Sequence, residues 1–147
     1  MRRDSRISDV LHVLLHMADH SEPLTSSFLA QMMRTHPVVV RRTLGGLREQ
    51  GLVRSTKGRT GGWTLTSNLS DITLLDIYRA VGHPALFAIG PRNQSSQCLV
   101  EQAVNDALAS AIDEAEQTLL QQFEQISLQT LYERFSRDMK AVRASLS

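Results

Sequence analysis

Residues 51–65 read GLVRSTKGRTGGWTL, and this stretch decides the fold. It contains a short strand, a glycine-rich tip that carries Lys57 and Arg59, and a returning strand. Gly58 and Gly61 allow a tight turn and a close approach of the backbone at this tip. A basic hairpin that follows a helix with exposed arginines predicts the wing of a winged helix.

An amphipathic helix is predicted directly before this hairpin, from Pro37 to about Gln50. Proline is favoured at the first helical position because its missing N–H would have no partner within the helix. Three residues form the predicted buried stripe: Val40, Leu44 and Leu47. Five residues are left nearer the exposed side: Val38, Val39, Arg41, Arg42 and Arg48. Such a helix can enter the major groove of DNA while the hairpin tip follows the phosphates or the minor groove.

Two adjacent glycines, Gly45 and Gly46, lie inside this helix. Each costs on the order of 1 kcal/mol relative to alanine. Close approach of another backbone is the explanation we prefer, and a hinge in the helix is the alternative.

Further helices are predicted on both sides of this unit. Apolar spacings of three and four residues predict a first helix over residues 7–17 that ends near Asp19. A second helix begins with Thr25 or Ser26 as its N-cap, and its predicted buried residues are Leu29, Met32 and Met33. After the hairpin, Thr73 and Asp76 match a capping box that opens a short helix through residue 81.

The C-terminal part is predicted to contain an ordered loop, a long helix and a last amphipathic helix. The loop covers residues 82–97, and the long helix runs from about residue 97 to residue 123. At ~1.5 Å per residue this helix spans about 40 Å, which is longer than so small a domain needs, so we expect it to pack against a second copy. Its predicted seam consists of Val100, Val104, Leu108, Ala111, Ala115, Leu119 and Phe123. Ser127 is the expected N-cap of the last helix, whose end is expected to fray from Lys140.

Length and composition predict one composite unit, mainly α-helical. The chain has 147 residues, of which 41% are apolar, and this is enough to bury a core. We expect a winged helix-turn-helix DNA-binding domain at residues 1–81, a connecting or effector loop at 82–97, and a helical dimerisation region at 98–147. No apolar run approaches the roughly 20 residues that a membrane-spanning helix needs, so the protein is expected in the cytoplasm without a membrane partner.

Charge is distributed unevenly, although the net charge is only +1. Seven basic side chains lie between positions 34 and 59: Arg34, Arg41, Arg42, Arg48, Arg54, Lys57 and Arg59. Glu49 is the single acid in that range, whereas residues 98–126 contain six acids and neither lysine nor arginine. This distribution predicts one half that faces DNA and one half that faces away from it.

Resemblance to a known family adds to this interpretation. The chain resembles the Rrf2 family of bacterial transcription regulators in the helix end LREQGLV at residues 47–53 and in the wing with Gly58, Gly61 and Gly62 before an aromatic residue. It also resembles the family in the helix start ITLLDI at residues 72–77 and in a cysteine that opens a long helix. The resemblance implies a homodimer that binds a palindromic operator through two winged helices, with the long helix as the dimerisation element.

The resemblance also assigns the candidate DNA contacts. It implies that Val38, Val39, Arg41 and Arg42 face the base edges, where an arginine can make a bidentate contact to guanine and a valine can touch a thymine methyl. Hydroxyl groups at the start of the second helix can donate to phosphates, and these belong to Thr25, Ser26 and Ser27. The candidate contacts of the wing and its root are Arg48, Lys57, Arg59 and Thr60.

Cys98 is the single cysteine, which excludes an intrachain disulfide. Many Rrf2 proteins hold an iron–sulfur cluster with three closely spaced cysteines, and cluster irons need about four thiolate or imidazole ligands. This chain therefore resembles the cluster-free branch, and we expect no cofactor. Near a helix N-terminus Cys98 can be a reactive thiolate, but a half-buried packing role is the interpretation we prefer.

The histidines and an apolar segment of the loop are further candidates for binding a metal ion or an effector. His12, His16 and His20 recur every four residues, a spacing that can bind zinc, yet a solvent-facing polar stripe is the preferred interpretation and no metal site is predicted. His83 is an isolated candidate. The apolar island at residues 85–89, which contains Phe87, either plugs a dimer interface or lines a pocket for an effector of unknown identity.

The sequence thus predicts a dimeric DNA-binding regulator, most simply a repressor that responds to a small molecule or to thiol oxidation. One alternative is a winged-helix module that binds protein rather than DNA, but such a module would not need the arginine cluster. A thiol enzyme based on Cys98 ranks last, because no base and no nucleophile motif lie next to the cysteine, and we expect no enzyme.

Overall fold

The computed structural model describes residues 3–147, so the first two residues of the predicted DNA-binding region lie outside it. The described chain is mainly α-helical with one two-stranded antiparallel sheet, which confirms the predicted winged helix-turn-helix. Its elements in chain order are α1 (Arg6–Ala18), α2 (Ser26–Met32), α3 (Pro37–Glu49), β1 (Val53–Thr56), β2 (Gly62–Leu65), a 3₁₀ turn (Leu69–Asp71), α4 (Leu74–Ala80), α5 (Leu99–Gln125) and α6 (Leu128–Ser145).

The wing is the hairpin of β1 and β2, in which Val53 lies opposite Leu65. Gly58 has a φ of 100°, a conformation that favours glycine. A Cβ added to Gly61 would lie 2.3 Å from the carbonyl oxygen of Thr56, so this position also needs glycine. Both glycine roles predicted from the sequence are therefore confirmed.

The buried core lies where α1, α2, α3, α4 and the wing meet. The predicted stripe of α3 is confirmed, because Val40, Leu44 and Leu47 are all buried. In α2 the prediction is wrong in part: Leu29 is buried as expected, but its buried neighbour is Ala30, while Met32 and Met33 are only half-buried. Ala30 belongs to the core, whereas Met33 follows the last residue of α2 and packs against the core only as a partly buried side chain.

The two glycines of α3 meet different surroundings, and the helix is continuous through both. A Cβ on Gly46 would lie 3.6 Å from the carbonyl oxygen of Ala80 in α4, whereas a Cβ on Gly45 would meet nothing within 4 Å. The expected approach of another backbone therefore applies to Gly46 alone, and at ordinary contact distance.

The last helix returns to the core of the winged helix. Ser127 caps it by accepting a hydrogen bond from the N–H of Thr130, as predicted. The N–H of Leu128 donates to the carbonyl of Ile72 at 2.8 Å, and the Leu128 side chain is fully buried. Contrary to the expected fraying from Lys140, α6 remains helical through Ser145. The predicted boundaries of the connecting loop, at residues 82 and 98, stay a prediction.

α5 runs along the outside of this core, and none of its residues is buried in the described chain. The predicted seam divides into two rows. Leu108, Leu119 and Phe123 are half-buried, and the ring of Phe123 lies 6.3 Å from that of Tyr78 in α4. Four seam residues remain exposed: Val100, Val104, Ala111 and Ala115. No helix among residues 3–147 is long and apolar enough to span a membrane.

Candidate nucleic-acid interface

The outer face of α3 lies opposite its buried stripe and combines aliphatic and basic side chains. Val38 and Val39 are 43% and 47% exposed, and Arg41 and Arg42 are exposed beside them. The N-terminus of α3 is fixed by His36, whose Nδ1 accepts a hydrogen bond from the N–H of Val38 at 3.2 Å. Valine side chains that remain this exposed suit, together with the arginines, the base edges of a major groove.

The wing tip presents a second group of donors. Lys57, Arg59 and Thr60 are all exposed and lie between the two strands. On the strands behind the tip, Arg54 donates from Nε to Thr64 Oγ1 at 3.4 Å, across the hairpin. Flexible cations at a projecting turn suit phosphate contacts, which position a protein on DNA without reading its sequence.

Arg48 occupies the junction between α3 and the wing. Its guanidinium donates to Ser55 Oγ at 3.2 Å and lies 5.6 Å from the centre of the Trp63 ring. The indole N–H of Trp63 in turn donates to Ser26 Oγ at 2.9 Å. Arg48 therefore links α3 to the wing in this structure, and Ser26 links α2 to the wing. This network was not predicted from the sequence, although a lone tryptophan after two glycines is a visible signal.

The start of α2 places the three predicted hydroxyl groups in different surroundings. Thr25 Oγ1 accepts a hydrogen bond from the N–H of Phe28 at 3.1 Å and so caps the helix. Ser26 is half-buried under Trp63, and Ser27 is exposed. Each hydroxyl group that accepts a bond here still has its own proton to donate, so all three remain candidate phosphate contacts.

The basic cluster is electrostatically uncompensated within the described residues. All seven cations between positions 34 and 59 are exposed, and none lies within ion-pair distance of a carboxylate. The ion pair found among residues 3–147 joins Arg6 to Asp4, at 2.7 Å. A patch of unpaired cations of one sign attracts a polyanion.

A cavity of about 590 Å³ borders the same face, between α1, α3 and α4. Its floor contains Val10, Val13 and Val40, and its rim includes Arg34 and Arg42. This cavity was not predicted from the sequence, because its walls come from elements far apart in the chain. The apolar island is placed at the surface, with Phe87 37% and Ile89 69% exposed. Its two predicted roles, a plug in a dimer interface or the wall of an effector pocket, stay predictions.

The histidine stripe of α1 forms its own contacts. Nε2 of His16 lies 2.9 Å from Nε2 of His12, and Nδ1 of His20 lies 2.7 Å from the carbonyl oxygen of His16. Burial lowers the pKa of His16 below its usual value, and the charges of His12 and His20 lower it further. Among residues 3–147, no three His, Cys, Asp or Glu side chains are grouped closely enough to hold a metal ion.

Comparison with known proteins identifies the family of this chain. Residues 3–134 match the model of the Rrf2 family, which is described as an iron-dependent transcriptional regulator. The chain belongs to the Rrf2 family. It is therefore a transcriptional regulator of a DNA-binding, winged-helix family, which is a family of regulators rather than of enzymes.

Two similar proteins match this chain along most of their length. YffB of Lactococcus lactis, named as an HTH-type transcriptional regulator, is 29% identical over 87% of this chain and 85% of its own. YwnA of Bacillus subtilis, named in the same way, is 30% identical over 79% of this chain and 86% of its own.

Solved structures share the fold at lower identity. A transcriptional regulator from Lactobacillus plantarum aligns over 97% of both chains with a TM-score of 0.75 and 22% identity. IscR of T. potens aligns over 91% of this chain and 88% of its own, with a TM-score of 0.69 and 17% identity. CymR of B. subtilis aligns over 91% and 98%, with a TM-score of 0.58 and 21% identity.

The thiol groups that this Rrf2 chain offers do not fit the ligand set of an iron–sulfur cluster. Cys98 is exposed at the N-cap position of α5, and its N–H donates to Ser96 Oγ at 3.1 Å. One protomer supplies a single thiol, so two protomers supply two, below the roughly four thiolate or imidazole ligands of a cluster. The one histidine of the loop at residues 82–97, His83, has its ring centre 5.3 Å from that of Tyr78. Cys98 is exposed in the protomer and not half-buried as expected, and its role stays a prediction.

Proposed function

We propose that this Rrf2 protein is a homodimer that binds a palindromic operator in double-stranded DNA and acts as a repressor in the cytoplasm, where the chromosome lies. The observation that supports this most strongly is the set of seven exposed, unpaired cations, of which six lie on α3 and the wing and one, Arg34, lies in the loop before α3. A protein-interaction module, which is the alternative, would have no need for such a surface.

The positions of the side chains support different roles for α3 and for the elements beside it. Arg41 and Arg42 project from the outer face with Val38 beside them, so this group would read base edges. Lys57 and Arg59 lie at the projecting wing tip, and Thr25 and Ser27 lie at the α2 start. These side chains would hold phosphates and set the register of α3 in the groove.

Exposed apolar residues on α5 support the dimer. Leu99, Val100 and Val104 are 79%, 74% and 51% exposed, and Ala111 and Ala115 line one shallow groove along the same helix. Burying such a row against a second α5 would stabilise the dimer and orient two winged helices for two half-sites. A symmetric dimer requires a palindromic operator.

The effector would act without an iron–sulfur cluster, because the donor set does not fit one. A small molecule is one candidate signal, and oxidation of Cys98 is the other, because its thiol is exposed. With one cysteine in each chain, oxidation to a disulfide would need the thiol of a second molecule.

Selection of duplexes from a randomised pool by the purified protein, followed by binding measurements at several salt concentrations, tests this function. We expect a palindromic consensus. If about 6–10 phosphates are contacted by the dimer, affinity should fall roughly 10³- to 10⁵-fold between 50 and 200 mM salt. A protein that enriches no sequence and shows no salt dependence would instead support the protein-interaction alternative.

Two alanine variants distinguish residues that recognise bases from residues that contact phosphates. Arg42→Ala should reduce discrimination between the selected duplex and a scrambled one by roughly 1–3 kcal/mol, because a base contact is lost. Lys57→Ala should weaken binding to both duplexes similarly and reduce the salt slope by about 1. Equal effects of the two variants on discrimination would contradict the proposed division.

A further inference from the structure

The two glycines of α3 differ in what covers them. Gly46 faces α4, where an added Cβ would lie 3.6 Å from the carbonyl oxygen of Ala80. Gly45 faces open space, because an added Cβ would meet nothing within 4 Å. Neither residue has a positive φ, so both conformations are open to alanine.

No contact among residues 3–147 therefore requires a glycine at position 45. Glycine weakens a helix interior relative to alanine because it loses more backbone freedom on folding. That destabilisation is neither relieved by packing nor required by the backbone at this position. A molecule that contacts the outer face of α3 can supply the reason.

Helical spacing places Gly45 within the proposed DNA-reading face. Val38, Arg41, Arg42 and Gly45 stand at positions i, i+3, i+4 and i+7, which is one side of a helix. The buried stripe of α3 lies on the opposite side. Glycine thus forms a gap directly behind the two arginines.

We infer that Gly45 lets a DNA duplex approach the main chain of α3, an inference that rests on the proposed function. The Cα atoms of a helix lie on a cylinder of about 2.3 Å radius, whereas side chains extend its radius to about 5–6 Å. A groove wall can therefore come closer to α3 at Gly45 than at any residue with a side chain. This approach brings Arg41 and Arg42 deep enough to reach the base edges, and a methyl group at position 45 would hold them away.

Gly45→Ala and Gly46→Ala form a matched pair of variants for testing this. Both remove a glycine from the same helix, so both should raise the melting temperature, by about 2–4 °C. Only Gly45→Ala places a methyl group on the outer face. Binding should be measured with a labelled duplex that the wild-type protein has selected from a randomised pool. Circular dichroism should confirm that both variants are folded.

We expect Gly45→Ala to weaken binding at least tenfold, and Gly46→Ala to bind within about twofold of wild type. A larger residue, as in Gly45→Leu, should weaken binding further. Unchanged binding by Gly45→Ala, or equal losses in both alanine variants, would overturn the inference while the wild-type affinity still upholds the proposed function. A wild-type protein that selects no duplex would overturn both.

Discussion

At the scale of single residues, one tryptophan connects three elements of the candidate interface. Trp63 stacks under Arg48 from α3 and donates to Ser26 at the start of α2, while it belongs itself to the wing. A junction of this kind links α3, the proposed reading helix, to the wing. Groups that must meet a groove and a phosphate backbone at once benefit from such preorganisation.

His16 gives a prediction about pH at the same scale. Its pKa is lowered by burial and by the neighbouring imidazoles, so the unfolded chain binds the proton more readily than the folded chain. Stability is therefore lost as pH falls through the unfolded pKa, which is about 6.5. We expect the melting temperature of wild type to drop more between pH 7.5 and 5.5 than that of His16→Gln, measured by calorimetry.

Measurements at higher pH provide the control for this prediction. Between pH 7.5 and 8.5 the melting temperatures of wild type and His16→Gln should change with pH in the same way, because His16 is neutral there in both the folded and the unfolded state. Asp4, whose pKa is lowered to about 2 by hydrogen bonds from Arg6, titrates well below the tested range. Equal pH dependence of the two proteins between pH 7.5 and 5.5 would show that His16 is not responsible.

At the scale of elements, side-chain caps fix where four of the helices begin. Thr25, His36, Thr73 and Ser127 each accept a hydrogen bond from a backbone N–H in the first turn that follows. The most complete cap opens α4, where Thr73 Oγ1 accepts from the N–H of Asp76 and the Asp76 carboxylate accepts from the N–H of Thr73. These caps set the helix boundaries and therefore the direction in which α3 and α4 leave their loops.

Removing the hydroxyl group of the α4 cap should measurably destabilise the domain. Thr73→Ala leaves the N–H of Asp76 without its acceptor, at a cost of about 1 kcal/mol. This corresponds to a drop of about 2–4 °C in melting temperature. Thr73→Ser retains the acceptor and should stay within about 1 °C of wild type. If both variants melt alike, the hydroxyl group does not stabilise the start of α4.

At the scale of the whole molecule, α5 is a helix of 27 residues with no buried side chain. One side rests on α4 through Phe123, and the other leaves Val100, Val104 and the alanines uncovered. Amphipathic helices derive most of their stability from packing of an apolar face. Within the protomer only one side of α5 is packed, and a second copy of the chain would cover the other side.

Two glutamate substitutions test this proposed interface. Ala111 and Ala109 are both exposed, and positions two residues apart point about 200° apart around a helix. Ala111→Glu should place an unpaired charge in the interface and raise the dimer dissociation constant roughly 100-fold, which is about 3 kcal/mol. Ala109→Glu adds the same charge on another side and should leave dimerisation unchanged.

Sedimentation velocity over a range of protein concentrations distinguishes the outcomes. A dimeric wild type with a dissociated Ala111→Glu variant supports packing of this row. A wild type that stays monomeric at high concentration, or an Ala111→Glu variant that remains dimeric, would contradict it.

The sequence by itself determined the hairpin, the helix order, the buried stripe of α3 and the caps of α2, α4 and α6. These features depend on residues within a few positions of each other, so spacing and residue type are sufficient to predict them. The sequence also identified the exposed cations of α3 and the wing, because a buried stripe fixes which residues point outward. Their contact with DNA stays a prediction.

Only the tertiary structure decided which distant residues meet. It divided the α5 seam into a half-buried row and an exposed row, and it joined Arg48 to Trp63. It also gave the adjacent glycines of α3 opposite surroundings. Neighbours on one helix face look equivalent in sequence, and they differ only when a partner element lies against one of them. The physical reason is that packing depends on positions in space, which local periodicity does not specify.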